Sequence, residues 1–148
     1  MKVYLGADHG GFALKAEVAK HLEAKGIDCE DVGAPKLDKL DDFPEYAYSA
    51  VTKLLGGDDD DRAILICGSG QGMAMAANRV RGIRAAVVWS VELAHETRQD
   101  NDSNVLSLPA RFIDDKTALA VVDEWLTTPF SKNPKYHRRI DEVEQIYG

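Results

Sequence analysis

The sequence predicts an α/β fold, in which a parallel sheet carries helices on both faces. Segments that suit strands and amphipathic helices alternate five times along the 148 residues. The apolar run at residues 63–66 is typical of a strand covered on both sides. Parallel pairing with right-handed crossovers follows from this alternation. We therefore expect one doubly wound, Rossmann-like domain over residues 1–148 with a five-stranded parallel sheet.

Each element has its own signal in the sequence. In the first helix Leu14, Val18 and Leu22 recur every four residues, and Gly26 follows as a C-cap. Phe43-Pro44 begins the second helix, and a polar loop at 100–104 precedes the last strand. The predicted strands are 2–7, 27–32, 63–66, 83–89 and 105–108, and the predicted helices are 12–25, 43–55, 71–82, 91–98, 116–126 and 134–148.

Composition excludes several classes of protein. The net charge of −7 argues against binding nucleic acid through a broad basic face. No apolar run reaches the roughly 18 to 20 residues of a membrane span, and no signal peptide is recognisable, so we expect a cytoplasmic protein with free thiols. Cys29 and Cys67 form no metal-binding spacing with the four histidines, and the acidic run 58–61 suits a solvated loop. We expect neither a metal nor a cofactor.

The glycine-rich turn after the central strand is the main candidate for chemistry. Gly68, Ser69, Gly70, Gln71 and Gly72 follow Cys67 and open a helix. Backbone N–H groups at such a turn converge beside the positive end of a helix dipole and hold an anion or a developing oxyanion. The glycine spacing fits neither a dinucleotide fingerprint nor a nucleoside-triphosphatase phosphate loop. Cys67 is thus either a small core residue or a thiol beside an oxyanion site.

Two reactions suit a thiol in this position. One is acyl transfer with Cys67 as nucleophile, and the other is proton abstraction next to a carbonyl. Because ligands bind at the carboxyl ends of parallel strands, we expect the turn at 8–9, the glycine turn, the Ser90 region and the loop 100–104 to converge on one edge. A basic cluster in this acidic chain favours a phosphorylated substrate. It consists of Lys135, His137, Arg138 and Arg139 in one short segment, and Arg111 follows the fifth predicted strand; for Arg138, ordinary surface charge is the favoured interpretation.

Over essentially its whole length the chain resembles the family of type B ribose-5-phosphate isomerases and galactose-6-phosphate isomerases. The motifs that carry the resemblance lie at residues 6–11, 42–44, 66–72, 76–78, 82–85 and 98–102. The family implies an aldose–ketose isomerase that moves a proton between C1 and C2 of a sugar phosphate through an enediolate, without a metal. It also implies a homodimer, or a tetramer, whose active sites are shared between chains. We place the last helix, 134–148, at that interface.

The resemblance implies a role for each matching residue. Cys67 is the base. Ser69, with the amides from Gly70 to Gly72, holds the enediolate oxygen, and Gly68 of the same turn also binds the substrate. Asp8 contacts sugar hydroxyls, and Asn101 contacts the reacting end. The phosphate is held by His9, Arg111, Arg139 and, in place of a family arginine, Lys135.

One departure concerns the substrate. Asp100 stands where the family commonly has a histidine that is credited with opening the sugar ring. Ribose 5-phosphate is the expected substrate. The alternatives are a tetrose 4-phosphate, a hexose 6-phosphate, and a protein that binds a sugar phosphate without catalysis.

Overall fold

A computed structural model describes residues 1–146, and Tyr147 and Gly148 lie outside the described residues. The five strands are β1 (Lys2–Ala7), β2 (Asp28–Asp31), β3 (Arg62–Cys67), β4 (Ala85–Val87) and β5 (Val105–Pro109). The six helices are α1 (Phe12–Ala24), α2 (Phe43–Leu55), α3 (Gln71–Ala77), α4 (Val91–Asn101), α5 (Asp115–Thr127) and α6 (Pro134–Ile146). None of the helices described is long and apolar enough to cross a membrane.

All five strands form one parallel sheet in the order β2-β1-β3-β5-β4. The predicted α/β class is confirmed, since helices cover both faces of this sheet. The central strand β3 pairs with β1 on one side and with β5 on the other, where Cys67 lies opposite Pro109. The carboxyl ends of β1, β3 and β5 therefore meet at one edge of the sheet, which is the usual ligand-binding edge of this architecture.

Alternating side chains of β3 supply two separate apolar layers. Ile64 and Ile66 pack towards α1, α4 and α5, where the fully buried Trp125 lies. Leu65 and Cys67 point to the other face, beneath α2 and α3. This alternation places the Cys67 thiol on the α2–α3 side of the sheet.

Three predicted boundaries are wrong. The third helix ends at Ala77 rather than near Gly82, because the amide of Asn78 pairs with the start of β4: Nδ2 donates to the Ala85 carbonyl at 3.0 Å, and Oδ1 accepts from the Ala85 N–H at 2.8 Å. Strand β4 is correspondingly short, with three residues instead of the predicted 83–89.

The third error concerns the predicted polar loop at 100–104. Helix α4 continues through Asn101 and ends at Asp102, whose φ of 47° is left-handed. The buried Arg98 holds this helix end: its Nη1 donates to Asp102 Oδ1 at 2.8 Å and to the Ser103 carbonyl at 2.7 Å. Asp100 and Asn101 therefore belong to the last turn of a helix, whose direction decides where they lie.

Candidate active site

The glycine turn is held in a defined shape at the end of β3. Gly70, the N-cap of α3, has a φ of +74°, a conformation that an L side chain rarely adopts. Ser107 Oγ, buried on β5, donates to the Gly70 carbonyl at 2.5 Å. Ser69 Oγ accepts from the Gln71 N–H at 3.3 Å. The neighbouring strand thus fixes the turn at which Cys67 ends the sheet.

Cys67 is 5% exposed and belongs to the apolar layer under α2 and α3. Its carbonyl accepts from the Ala110 N–H at 2.9 Å, so the loop after β5 is tied to this point. The next residue of that loop, Arg111, donates its N–H to the Gly68 carbonyl at 2.9 Å. A Cβ placed on Gly68 would lie 2.9 Å from the Arg111 guanidinium carbon, so this cation lies directly over the turn.

The turn after β1 contacts the glycine turn. A Cβ placed on Gly10 would lie 3.0 Å from the Gly68 nitrogen, so the two backbones touch. Asp8 is buried, and its Oδ1 accepts from the Gly10 N–H at 2.9 Å. His9 is partly exposed and contacts Asp41. The structure therefore brings together Asp8, His9, Cys67, Ser69 and Arg111, which we call the glycine-turn group.

Asp100 and Asn101 do not join this group, and the expected convergence of all four loops on one edge is wrong. Their segment precedes β5, so it lies at the amino end of the sheet, where the Asn104 carbonyl accepts from the Ala63 N–H at 3.2 Å. Cys67 lies at the opposite end of the six-residue strand β3. At the usual rise per residue, the two ends of this strand are about 16 Å apart.

Helix α6 lies beside the same end of α4. Tyr136 lines a cleft of about 570 Å³ with Gln99 and Asp100. The Lys135 ammonium lies 4.8 Å, and the Arg139 guanidinium 5.7 Å, from the centre of the Tyr136 ring. The four predicted residues on these two helices, which we call the α4–α6 group, are Asp100, Asn101, Lys135 and Arg139.

An ionic network connects the two helices of this group. Arg84 donates through Nη1 to Glu144 of α6 at 2.6 Å and through Nη2 to Asp102 at 3.2 Å. Asp102 in turn accepts from Arg98. Arg84 and Asp102 stand in motifs that carry the resemblance, but the contact with Glu144 joins residues 60 positions apart and has no signature in the sequence.

The other basic residues near the C-terminus are engaged locally. His137 Nε2 lies 2.7 Å from the Ser131 carbonyl, and its ring centre lies 4.3 Å from that of Phe130. Arg138 faces Glu142 one turn along the helix at 3.8 Å. These contacts distinguish Arg138 from its neighbour Arg139, which packs against Tyr136.

Sequence reasoning missed Asp41. Its side chain is 4% exposed, and Oδ1 accepts from the His9 backbone N–H at 3.1 Å while lying 2.8 Å from Nδ1 of the His9 ring. Burial alone would raise the pKa of Asp41, but the hydrogen bonds from His9 more than offset this and hold the pKa below its usual value. Asp41 stands among several acids of a polar loop, and nothing in the sequence sets it apart from them.

Within residues 1–146, two clusters have oxygen or nitrogen atoms that could hold a metal ion. In the first, ligand atoms of Asp8, His9 and Asp41 lie within 4.8 Å of one another, but Asp8 Oδ1 and Asp41 Oδ1 already accept hydrogen bonds. The second lies in the acidic run. There Asp61 accepts from the N–H groups of Lys2 and Asp58, both within 2.9 Å. In both clusters, carboxylate oxygens therefore already accept hydrogen bonds that stabilise the fold.

Comparisons with known proteins identify relatives over almost the whole chain. A family model described as Ribose/Galactose Isomerase matches residues 3–143. The chain is 43% identical over 141 residues to a ribose-5-phosphate isomerase B of Mycolicibacterium paratuberculosis, covering 95% of this chain and 88% of that protein. It is 40% identical to the ribose-5-phosphate isomerase B of Mycobacterium tuberculosis, with 95% and 86% covered.

Solved structures are similar as well. A ribose-5-phosphate isomerase B from Mycoplasma genitalium, with bound ribulose-5-phosphate, superposes with a TM-score of 0.95 at 36% identity, covering 99% of this chain and 95% of that one. The Thermotoga maritima ribose 5-phosphate isomerase gives a TM-score of 0.92 at 39% identity, with 98% of each chain covered.

Proposed function

Because this chain belongs to the ribose/galactose isomerase family, we propose that it interconverts ribose 5-phosphate and ribulose 5-phosphate through an enediolate. One observation carries the proposal: the glycine turn places a thiol, a run of backbone amides and the Arg111 guanidinium side by side at the carboxyl edge of the sheet. A base, an oxyanion site and a phosphate-binding cation are the parts that this reaction needs.

The reaction itself is a proton transfer between two neighbouring carbons. In the aldose-to-ketose direction, the Cys67 thiolate removes the proton from C2, and the electron pair of that C–H bond moves into the C1–C2 bond. The oxygen on C1 becomes negative, and the Ser69 hydroxyl with the amides of the turn stabilises it. The hydroxyl on C2 then passes its proton to the oxygen on C1, which becomes the C1 hydroxyl, while the Cys67 thiol returns its proton to C1 and C2 becomes the ketone. No electron acceptor is consumed.

We propose that the active site is shared between two chains of a homodimer. The glycine-turn group and the α4–α6 group lie at opposite ends of β3, so one chain cannot bring both to a single sugar phosphate of a few ångströms. A second chain would supply Asp100 and Asn101, with Lys135 and Arg139 on the phosphate. Helix α6 would then lie at the interface, although residues 147–148 of this predicted segment lie outside the described residues.

Exposed apolar surface supports this assignment. Trp89 is 55% and Phe112 is 74% exposed. Both line a groove of about 370 Å³ next to Ser69 and Gln71 of the glycine turn. A neighbouring chain seated here would exclude water from the turn, which strengthens its electrostatic action on an enediolate.

A hybrid dimer tests whether sites are shared. Cys67→Ser and Asn101→Ala chains carrying different affinity tags are coexpressed, and the mixed dimer is isolated through both tags. One of its two sites contains both changes and the other contains neither, so we expect about half of the wild-type activity. Each variant alone would be nearly inactive. A mixed dimer no more active than its parents would show that each chain uses its own Asp100–Asn101 segment.

Asp100 is the observation that favours a second substrate. A ring-opening group must both accept and donate a proton near neutral pH, which suits an imidazole, whereas an ionised carboxylate can only accept. A tetrose 4-phosphate has no ring to open, because the oxygen that would close a furanose carries the phosphate. The second candidate activity is therefore isomerisation of an open-chain tetrose 4-phosphate.

A substitution at residue 100 distinguishes between the two candidate substrates. We expect Asp100→His to raise kcat/KM for ribose 5-phosphate and to leave kcat/KM for erythrose 4-phosphate largely unchanged, since only the pentose must open. Steady-state assays of wild type and variant on both sugars measure this. If the wild-type enzyme already isomerises the pentose rapidly and Asp100→His does not raise its kcat/KM, Asp100 is a competent replacement for the family's histidine. The second candidate activity would then be refuted.

The location that fits this activity is the cytoplasm. The free thiols of Cys29 and Cys67 support this proposed location.

A further inference from the structure

One buried acid of the loop between β2 and α2 lies beside the glycine-turn group. Asp41 is the only member of this loop that the structure places against His9, among the residues it describes. Its side chain is 4% exposed, whereas that of His9 is 34% exposed. The imidazole thus has a buried partner on one side and an open face on the other.

The two hydrogen bonds determine the state of the imidazole. The His9 backbone N–H donates to Asp41 Oδ1 at 3.1 Å, and this same oxygen lies 2.8 Å from ring Nδ1. A carboxylate can only accept, so Nδ1 must carry a proton. The other nitrogen, Nε2, remains for a ligand, and it can donate to a phosphate only when the ring is fully protonated and positive.

The charged and titratable groups around the pair come from four segments. Asp8 lies on the same turn as His9, and its carboxylate is within 4.8 Å of the Asp41 and His9 ligand atoms. Tyr46 of α2 lies beside Asp41, and its pKa is raised by burial and by the Asp41 charge. The charges of Glu45 on α2 and of Asp38 in the loop also raise the pKa of Tyr46. The Arg111 guanidinium lies against Gly68 of the neighbouring glycine turn.

We propose that Asp41 is a positioning residue for phosphate recognition: it orients the His9 ring and favours its positive form, so that Nε2–H donates to the phosphate of the substrate. This proposal rests on the proposed function, since it assigns His9 to the phosphate. Asp41 itself does not touch the substrate in this arrangement. A cationic donor to a phosphate oxygen forms a stronger hydrogen bond than a neutral one.

The test removes the negative charge of the Asp41 side chain and keeps its shape. In Asp41→Asn, the amide oxygen can still accept from Nδ1–H and from the backbone N–H, but it carries no charge. Asp38→Asn is the matched control, because it removes an equal charge from an exposed position of the same loop. Inorganic phosphate is the probe, and its binding is followed by ³¹P NMR between pH 5.5 and 8.5 for the wild type and both variants.

We expect Asp41→Asn to bind phosphate about tenfold more weakly at pH 7.5, because the imidazolium loses the carboxylate that favours its positive form. At pH 5.5, where an imidazole is ordinarily protonated, the two affinities should move closer together. With ribose 5-phosphate, KM should rise while kcat changes less than about twofold. Asp38→Asn should follow the wild type throughout.

A second measurement needs no ligand. The ¹⁵N shifts of the His9 ring in the free wild-type protein should identify Nδ1 as the protonated nitrogen at high pH. Protonation at Nε2 instead would overturn the proposal. So would an equal loss of phosphate affinity in Asp38→Asn and Asp41→Asn. Neither readout depends on turnover. A protein that behaves as expected here but isomerises no sugar phosphate would refute the proposed function and leave the Asp41–His9 pair in place.

Discussion

Replacing Cys67 by serine is expected to reduce turnover by roughly a hundred- to ten-thousand-fold, the usual cost of losing a positioned general base. A serine hydroxyl is a much weaker acid than a thiol, so almost none of it is ionised to accept the C2 proton. The change is small in volume and lies at a site that is 5% exposed, so the fold should persist. Isomerase assays, together with a thermal melt, measure both effects.

The second cysteine provides the control for this experiment. Cys29 is half-buried in the edge strand β2, and burial, with the nearby Asp31 and Asp28, raises the pKa of its thiol to about 11. It is therefore protonated at neutral pH and lies away from the glycine turn. Cys29→Ser should keep wild-type turnover.

Solvent exchange gives the sharper readout. With ribulose 5-phosphate bound in D₂O, the wild-type enzyme should incorporate deuterium at the carbon from which the proton is taken, and Cys67→Ser should not. Near-normal turnover or exchange in Cys67→Ser would mean that Cys67 is not the base. An acid such as Asp8 or Asp100 would then have to take that role.

Removing Arg139 is expected to raise KM by about ten- to a hundredfold, since a charge-assisted contact with phosphate contributes about 1.5 to 3 kcal/mol. Arg138→Ala should have a much smaller effect, because Arg138 is exposed and faces Glu142 at 3.8 Å. The two residues are adjacent on α6 and carry the same charge, so the comparison cancels long-range electrostatics. Lys135→Ala should lie between them, as an ammonium lacks the two-pronged geometry of a guanidinium.

Steady-state kinetics on ribose 5-phosphate and competitive inhibition by inorganic phosphate measure these effects. Equal losses from Arg138→Ala and Arg139→Ala would mean that the C-terminal segment faces the phosphate in another register.

The fold could be predicted because its signals are local. Helix α2 begins at Phe43 and ends at Leu55, as predicted, because Pro44 suits the first turn of a helix and two glycines stop it. The end of α3 could not be predicted, since it depends on the Asn78 amide pairing with a strand that follows later in the chain. Long-range side-chain contacts of this kind leave no periodic signal in a sequence.

The same contrast between local signals and long-range contacts applies to the candidate site. The residues that follow strands, such as Asp8, Cys67 and Arg111, lie where strand direction alone puts them. The predicted position of Asp100 and Asn101 is wrong because the 100–104 segment precedes β5 and cannot be grouped with the turns that follow strands; in the structure its first two residues end α4. Asp41 was missed since only the folded chain reveals which of several neighbouring acids reaches His9.

The length of β3 also determines how the activity responds to protein concentration. If the site is shared between two chains, as we propose, a lone chain has its two groups at opposite ends of this strand and contains no complete active site. By mass action, well below the dissociation constant of the dimer, the number of complete centres rises with the square of the chain concentration. In that concentration range, halving the amount of protein would reduce the total activity by more than half.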